Sequence, residues 1–246
     1  MRSPVPLARR SAVHLAADTA DTVASPTTQT RTWWWGFAAY AVIALAHVIL
    51  LAAGSPLTYP SKLALMPALI LAAAWALRGT RWGVPHALLV AALVFSWFGD
   101  GAAFFFPFFD DELPMMLLSF GLAHACYIVL FWGHLAVRRL PWWSAIYAVW
   151  WVVLIIVLWP LLGALAIGVA VYGLVLGGTA AAATRCNPAV IVGAVFFLAS
   201  DTTLAFRLFV PGTPDWAGVA VMVTYTIGQG LIALGVVQHL RGVRAR

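Results

Sequence analysis

An all-α, polytopic transmembrane helical bundle of about eight spans is the architecture this sequence predicts. Hydrophobic residues make up 63% of the 246 and charged residues only 9%, too little polar surface to coat a water-soluble globule and too much apolar character for a disordered chain. Apolar runs of spanning length recur with short breaks between them. The basic residues collect on alternate breaks, as the loops of a polytopic membrane protein require.

Residues 1–32 are rich in Ala, Thr, Ser and Asp, carry Arg2, Arg9 and Arg10, and hold no apolar stretch long enough for a signal-peptide core; a disordered cytoplasmic tail is expected there. An eight-span domain over 33–240 follows, and a basic cytoplasmic C-terminus over 241–246. The apolar runs fall near 33–53, 63–77, 85–106, 113–133, 142–159, 161–183, 189–209 and 216–238. Their breaks carry turn residues: Gly54-Ser55-Pro56, Gly79-Thr80-Arg81, Asp110-Asp111-Glu112, Arg138-Arg139, Asn187-Pro188 and Pro211-Gly212. Trp159-Pro160 is the weakest break, so the fifth and sixth spans are the least well divided.

With a cytoplasmic N-terminus, all of the 14 basic residues lie inside except Lys62 and Arg207, a bias that sets the orientation and requires an even number of spans. The acidic Asp110-Asp111-Glu112 loop then lies outside, and an integral protein of a bacterial cytoplasmic membrane is expected. Trp33 to Trp35, Trp142, Trp143 and Trp216 stand at span ends, where indole rings anchor at the interface. The net charge of +6 does not indicate nucleic acid, because the arginines are scattered singly between apolar runs. Cys126 lies in an apolar run and Cys186 in a polar break, so neither a disulfide framework nor a Cys-based zinc site is indicated.

Two of the eight acidic residues, Asp100 and Asp201, fall within spans. An Asp there costs on the order of 3 kcal/mol and usually faces a polar cavity, although snorkelling or a bond to a neighbouring helix is the plainer alternative. At about 1.5 Å per residue from the outer span ends, Asp100 lies about 9 Å deep, Asp201 about 12 Å, Tyr225 about 14 Å, His124 about 17 Å and Gln229 about 20 Å. One cavity open to the outer face can hold them all, with Lys62 and Arg207 at its mouth. His124 with Tyr127, and Tyr225 with Gln229, share helix faces. Asp201 follows Asp100 by 101 residues, and Tyr225 follows His124 by the same offset, which suggests a four-plus-four parallel repeat.

The remaining polar candidates have competing readings. His47 could line the cavity as a ligand or proton carrier, but a bond to a neighbouring carbonyl is the simpler role. His86, His134 and His239 sit at cytoplasmic span ends. Lys62 and Arg207 either hold a lipid phosphate or snorkel to the interface.

Four segments carry a resemblance to the lysoplasmalogenase-like (YhhN) family of integral membrane proteins. Phe95-Ser96-Trp97-Phe98-Gly99-Asp100 resembles its Gly-Asp segment and Ala123-His124-Ala125-Cys126-Tyr127 its His-x-x-Tyr segment. Ser200-Asp201-Thr202-Thr203-Leu204-Ala205 resembles Ser-Asp-x-x-Leu, and Tyr225-Thr226-Ile227-Gly228-Gln229 resembles Tyr-x-x-x-Gln. Two positions depart: Lys62 is followed by Leu63 rather than proline, which weakens a headgroup role for Lys62, and Ala103 stands where the family has leucine. The resemblance implies an eight-span hydrolase that cleaves the vinyl-ether bond of lysoplasmalogens, releasing a fatty aldehyde and glycerophospho-ethanolamine or glycerophospho-choline.

That chemistry suits the residues. A vinyl ether resists base and nucleophiles but yields to a proton delivered to the carbon beta to oxygen, after which water captures the oxocarbenium ion. Two carboxyls facing one another in an apolar cavity can share one proton near neutral pH. Asp100 and Asp201 are therefore expected to supply the acid and the water-activating carboxylate as a coupled pair. His124 would orient one carboxyl or the water, and Tyr127, Tyr225 and Gln229 would hold the glycerol oxygen and water by hydrogen bonds. No cofactor is expected; the partners are a lysophospholipid substrate and membrane lipids. A proton-coupled transporter uses similar buried groups, and a metal-dependent lipid hydrolase could use Asp100, Asp201, His124 and His47. The cytoplasmic halves of the spans are almost purely apolar, which disfavours a through-route, and no closely spaced His pair supports a metal.

Overall fold

Gly, Pro and Asn cut an otherwise continuous apolar chain into helices. The computed structural model describes residues 33–242, and the expectations for 1–32 and 243–246 lie outside the described residues. The helices are α1 (Trp35–Ala52), α2 (Thr58–Ala76), α3 (Val84–Asp100), the single turn α4 (Ala102–Phe105), α5 (Leu113–Gly133), α6 (Ile146–Leu162), α7 (Ala166–Ala183), α8 (Pro188–Phe209) and α9 (Trp216–Gly242). The described residues include no strand.

Turn chemistry places the boundaries. Gly54 takes a φ of 62° just past α1, a conformation that glycine adopts without penalty. The Asp111 carboxylate accepts from Leu113 N–H ahead of α5. Asn187 caps α8, its Oδ1 accepting from Val190 N–H while its Nδ2 donates to Gly235 O of α9 at 2.7 Å.

Among the described residues, six helical stretches are long and apolar enough to cross a membrane, one of them being Trp142–Ala183 taken as 42 residues; Val84–Asp100 is apolar but shorter. The 42-residue stretch is two helices. It reverses at a 3-10 turn, Gly163–Leu165, where Gly163 has a φ of 52°. The reversal sets α6 antiparallel to α7, with Trp151 Nε1 donating to Ala170 O at 2.8 Å and Gly177 lying under Tyr147 O. The break expected at Trp159-Pro160 thus falls three residues later. Pro160 remains inside α6, and the reversal waits for the residue that tolerates a positive φ. Eight long helices stand where eight spans are expected.

Small residues bring α8 and α9 together. A Cβ on Gly228 would stand 2.8 Å from Phe197 N, and one on Gly193 would stand 2.7 Å from Ile232 N, so the two backbones touch in the manner of close helix pairs in membranes. A different device joins α2 to α3. Pro67 has no N–H for the carbonyl four residues earlier, and the Trp97 indole supplies the missing donor, bonding Leu63 O at 2.9 Å.

Packing follows the 101-residue offset. Gly99 of α3 lies under Phe120 of α5, and the corresponding Ser200 of α8 donates to Val221 O of α9 at 3.0 Å. α5 packs against α7 of the other half, as α9 does against α2. Arginines gather at one end of the bundle, where Arg138 bonds Cys186 O, Arg185 bonds Arg138 O, and Arg185 lies 4.2 Å over the Trp132 ring.

Candidate active site

The polar residues that the spans carry converge near the end opposite the arginine-rich face. Asp100 ends α3 between two glycines that lie close against neighbouring side chains. A Cβ on Gly99 would fall 2.5 Å from the Phe120 ring, and one on Gly101 would fall 2.6 Å from Leu63. Asp100 Oδ2 accepts from the Tyr225 hydroxyl at 2.7 Å, and its Oδ1 lies 3.7 Å from Lys62 Nζ. Only 5% of Asp100 is exposed, so this ion pair is far less screened than one on a surface.

Asp201, in the C-terminal half of α8, has a different set of neighbours. The Tyr172 hydroxyl of α7 donates to its Oδ2, and His124 Nε2 of α5 lies 3.9 Å from the same oxygen. Thr179 orients that histidine. Its hydroxyl donates to Val175 O at 3.0 Å, so at 3.2 Å it accepts from His124 Nδ1–H, leaving Nε2 turned to the Tyr172 hydroxyl, 3.5 Å away, and Asp201. The other face of the ring rests on Phe197.

The two acids line one cavity of about 170 Å³, together with His47, Lys62, Arg207 and Tyr225. Arg207 is exposed, and its guanidinium lies against Gly218 at the rim, where a Cβ would stand 3.1 Å from Cζ. His47, on α1, lines the cavity; its Nδ1 lies 2.8 Å from Ser61 Oγ, and the ring also interacts with the backbone of Thr58.

His124, Tyr127 and Gln229 stand behind the cavity wall rather than in it, each with no exposed surface. Tyr127 donates to Gln229 Oε1 at 2.7 Å. Gln229 Nε2 donates to Ser96 Oγ at 3.0 Å and points at the Tyr225 hydroxyl, 3.5 Å away. A chain of contacts thus runs Tyr127, Gln229, Tyr225, Asp100, and Tyr127 and Gln229 lie behind the cavity wall where they were expected to line it. Both groups are satisfied by protein partners. Beneath them Leu89, Leu93, Leu130, Ile232 and Val236 have no exposed surface and close the bundle toward the arginine-rich face.

Tyr172 is the neighbour of Asp201 that sequence reasoning missed. Its signal was available: Tyr172 and Thr179 lie seven residues apart, hence on one face of an otherwise apolar α7. Ser96 likewise sits four residues before Asp100 on α3. Among the described residues no group of three or more His, Cys, Asp or Glu side chains is placed to hold a metal ion.

The sequence model of the YhhN family matches residues 57–236. No curated protein and no solved structure matches the chain.

Proposed function

The chain belongs to the YhhN family, and on that premise we propose that it is an integral membrane hydrolase cleaving the vinyl-ether bond of lysoplasmalogens. The observation that carries this reading is a pair of carboxyls, Asp100 and Asp201, on the wall of one small cavity within an apolar bundle.

The reaction consumes one water. One carboxyl delivers its proton to the alkenyl carbon beta to oxygen, and the double-bond electrons form the new C–H bond, leaving an oxocarbenium ion. Water adds to the cationic carbon while the second carboxylate takes its proton. The hemiacetal then collapses: its hydroxyl proton leaves, the C–O bond to glycerol breaks, and that oxygen is protonated to give the aldehyde and the glycerophospho-alcohol. Fixed negative charge near the developing cation lowers the barrier without reorganisation. The Tyr225 and Tyr172 hydroxyls, each bonded to one of the acids, hold the two carboxyls in place. Lys62 and Arg207 offer positive charge to the phosphate at the rim.

By the positive-inside rule the cavity opens to the non-cytoplasmic side, with both termini cytoplasmic. Its closed apolar floor supports a hydrolase over a transporter, which needs polar groups toward both faces. The test is aldehyde release by purified protein from a lysoplasmalogen and from its saturated ether analogue, repeated with Asp100→Asn, Asp201→Asn and a chelator. Release from the vinyl ether alone, lost in both variants and indifferent to chelator, is the expected result. Full activity in either variant overturns the assignment of the acids, and inhibition by chelator moves the chemistry to a metal.

A further inference from the structure

His47 is 1% exposed, lines the cavity of the two acids, and has one ring nitrogen committed and one idle. The Ser61 hydroxyl spends its single hydrogen on Thr58 O at 2.8 Å. With that hydrogen on Thr58 O, we assign the ring hydrogen to His47 Nδ1, which donates to the Ser61 oxygen at 2.8 Å. Nε2 is left with a lone pair. That nitrogen is buried and, alone among the buried side-chain N and O atoms of the described residues, meets no hydrogen-bond partner.

A buried acceptor without a donor costs about 1–3 kcal/mol, and such an atom on the wall of a binding cavity is a place where a ligand completes the bond. The donor must be small and neutral, because Lys62 already supplies a cation to this cavity. Resting on the function proposed above, the substrate carries one such group. The central carbon of a lysolipid glycerol bears a free hydroxyl, between the carbon bearing the ether oxygen and the carbon bearing the phosphate. With the ether at the acids and the phosphate toward Lys62 and Arg207, that hydroxyl lies between them in the cavity that His47 also lines.

We infer that His47 Nε2 accepts a hydrogen bond from the free central hydroxyl of a monoradyl glycerophospholipid, so that His47 selects lysolipids over their doubly substituted counterparts. A second chain esterified at that position removes the donor, leaves Nε2 unpaired and brings added bulk into a cavity of about 170 Å³. Rejection of a ligand that lacks the matching hydroxyl is the discrimination a site built around a buried polar atom performs best.

Binding tests this independently of the reaction. Detergent-solubilised protein is titrated calorimetrically with a saturated monoalkyl glycerophosphoethanolamine, which cannot be cleaved as a vinyl ether, and with the same lipid lacking its central hydroxyl. Native protein is expected to favour the hydroxylated lipid about tenfold, the equivalent of one hydrogen bond. His47→Phe should bind both lipids equally, with the affinity native protein has for the lipid lacking the hydroxyl, which also shows that the variant is folded. His47→Gln, which keeps an acceptor, should recover part of the preference. Equal binding of both lipids by native protein, no binding of either, or a preference that survives in His47→Phe overturns the inference. Aldehyde release from the vinyl-ether lipid is measured separately. Preference without cleavage upholds His47 and defeats the proposed reaction; cleavage without preference does the reverse.

Discussion

Replacing Tyr172 with phenylalanine removes one oxygen from the site and little else. The phenol donates to Asp201 and approaches His124, while the ring packs edge-on against His124 with centroids 5.7 Å apart. Phenylalanine keeps that packing and opens no large void. What is lost is a hydrogen bond to a carboxyl whose charge changes during the reaction. Hydrogen bonds to charged groups contribute about 1.5–3 kcal/mol net, and with about 1.4 kcal/mol per factor of ten the variant should lose about 10- to 150-fold in kcat. KM should change little, because the bond holds a reacting group and not the lipid. The assay is aldehyde release from a saturating lysoplasmalogen, coupled to oxidation by an aldehyde dehydrogenase. Tyr147→Phe serves as the control, since Tyr147 is buried at the α6–α7 contact, away from the acids. A Tyr172→Phe enzyme within threefold of the native kcat, or one no slower than the control, refutes the role assigned to this hydroxyl.

Lys62→Gln should lower kcat as well as raise KM, because Lys62 meets Asp100 at 3.7 Å and stands at the cavity with 29% of its side chain exposed; the kinetic parameters on the same substrate check this. Gly228→Ala sets a methyl 2.8 Å from Phe197 N, and overpacking of that kind costs about 1–3 kcal/mol, to be read as a lowered unfolding midpoint in detergent. Trp97→Phe leaves Leu63 O without its indole donor and should destabilise by about 1–3 kcal/mol in the same measurement. Burial pushes the Cys186 thiol up to about 12, so at pH 8 almost none of it is thiolate, the form that reacts. Site-resolved mass spectrometry should find Cys186 unalkylated by iodoacetamide in folded protein and alkylated after denaturation.

The helical fold and its punctuation were legible because bilayer thickness sets the length of each apolar run and turn residues end it. Trp159-Pro160 misled because proline near a helix end does not reverse a chain; Gly163 does, and nothing local marks that glycine above its neighbours. Asp100 and Asp201 were visible because charge is rare in spans, and Tyr225 because it repeats the position of His124 at the 101-residue offset. The layering of the site was not visible. That Tyr127 and Gln229 bond each other behind the cavity, rather than lining it, depends on how helices from opposite halves are rotated, and a single chain's pattern does not encode rotation. Tyr172 escaped because a lone tyrosine in an apolar helix reads as packing until its partner Asp201 is placed beside it.

Asp100 meets Tyr225, and Asp201 meets His124, across the same 101-residue offset. Under a strict two-fold axis these would be one contact written twice, the acids would be interchangeable, and a lipid could seat itself either way round with the same outcome. Substituting an imidazole for a phenol in one copy removes that degeneracy. A molecule lying across the axis would then meet unlike chemistry at its two ends.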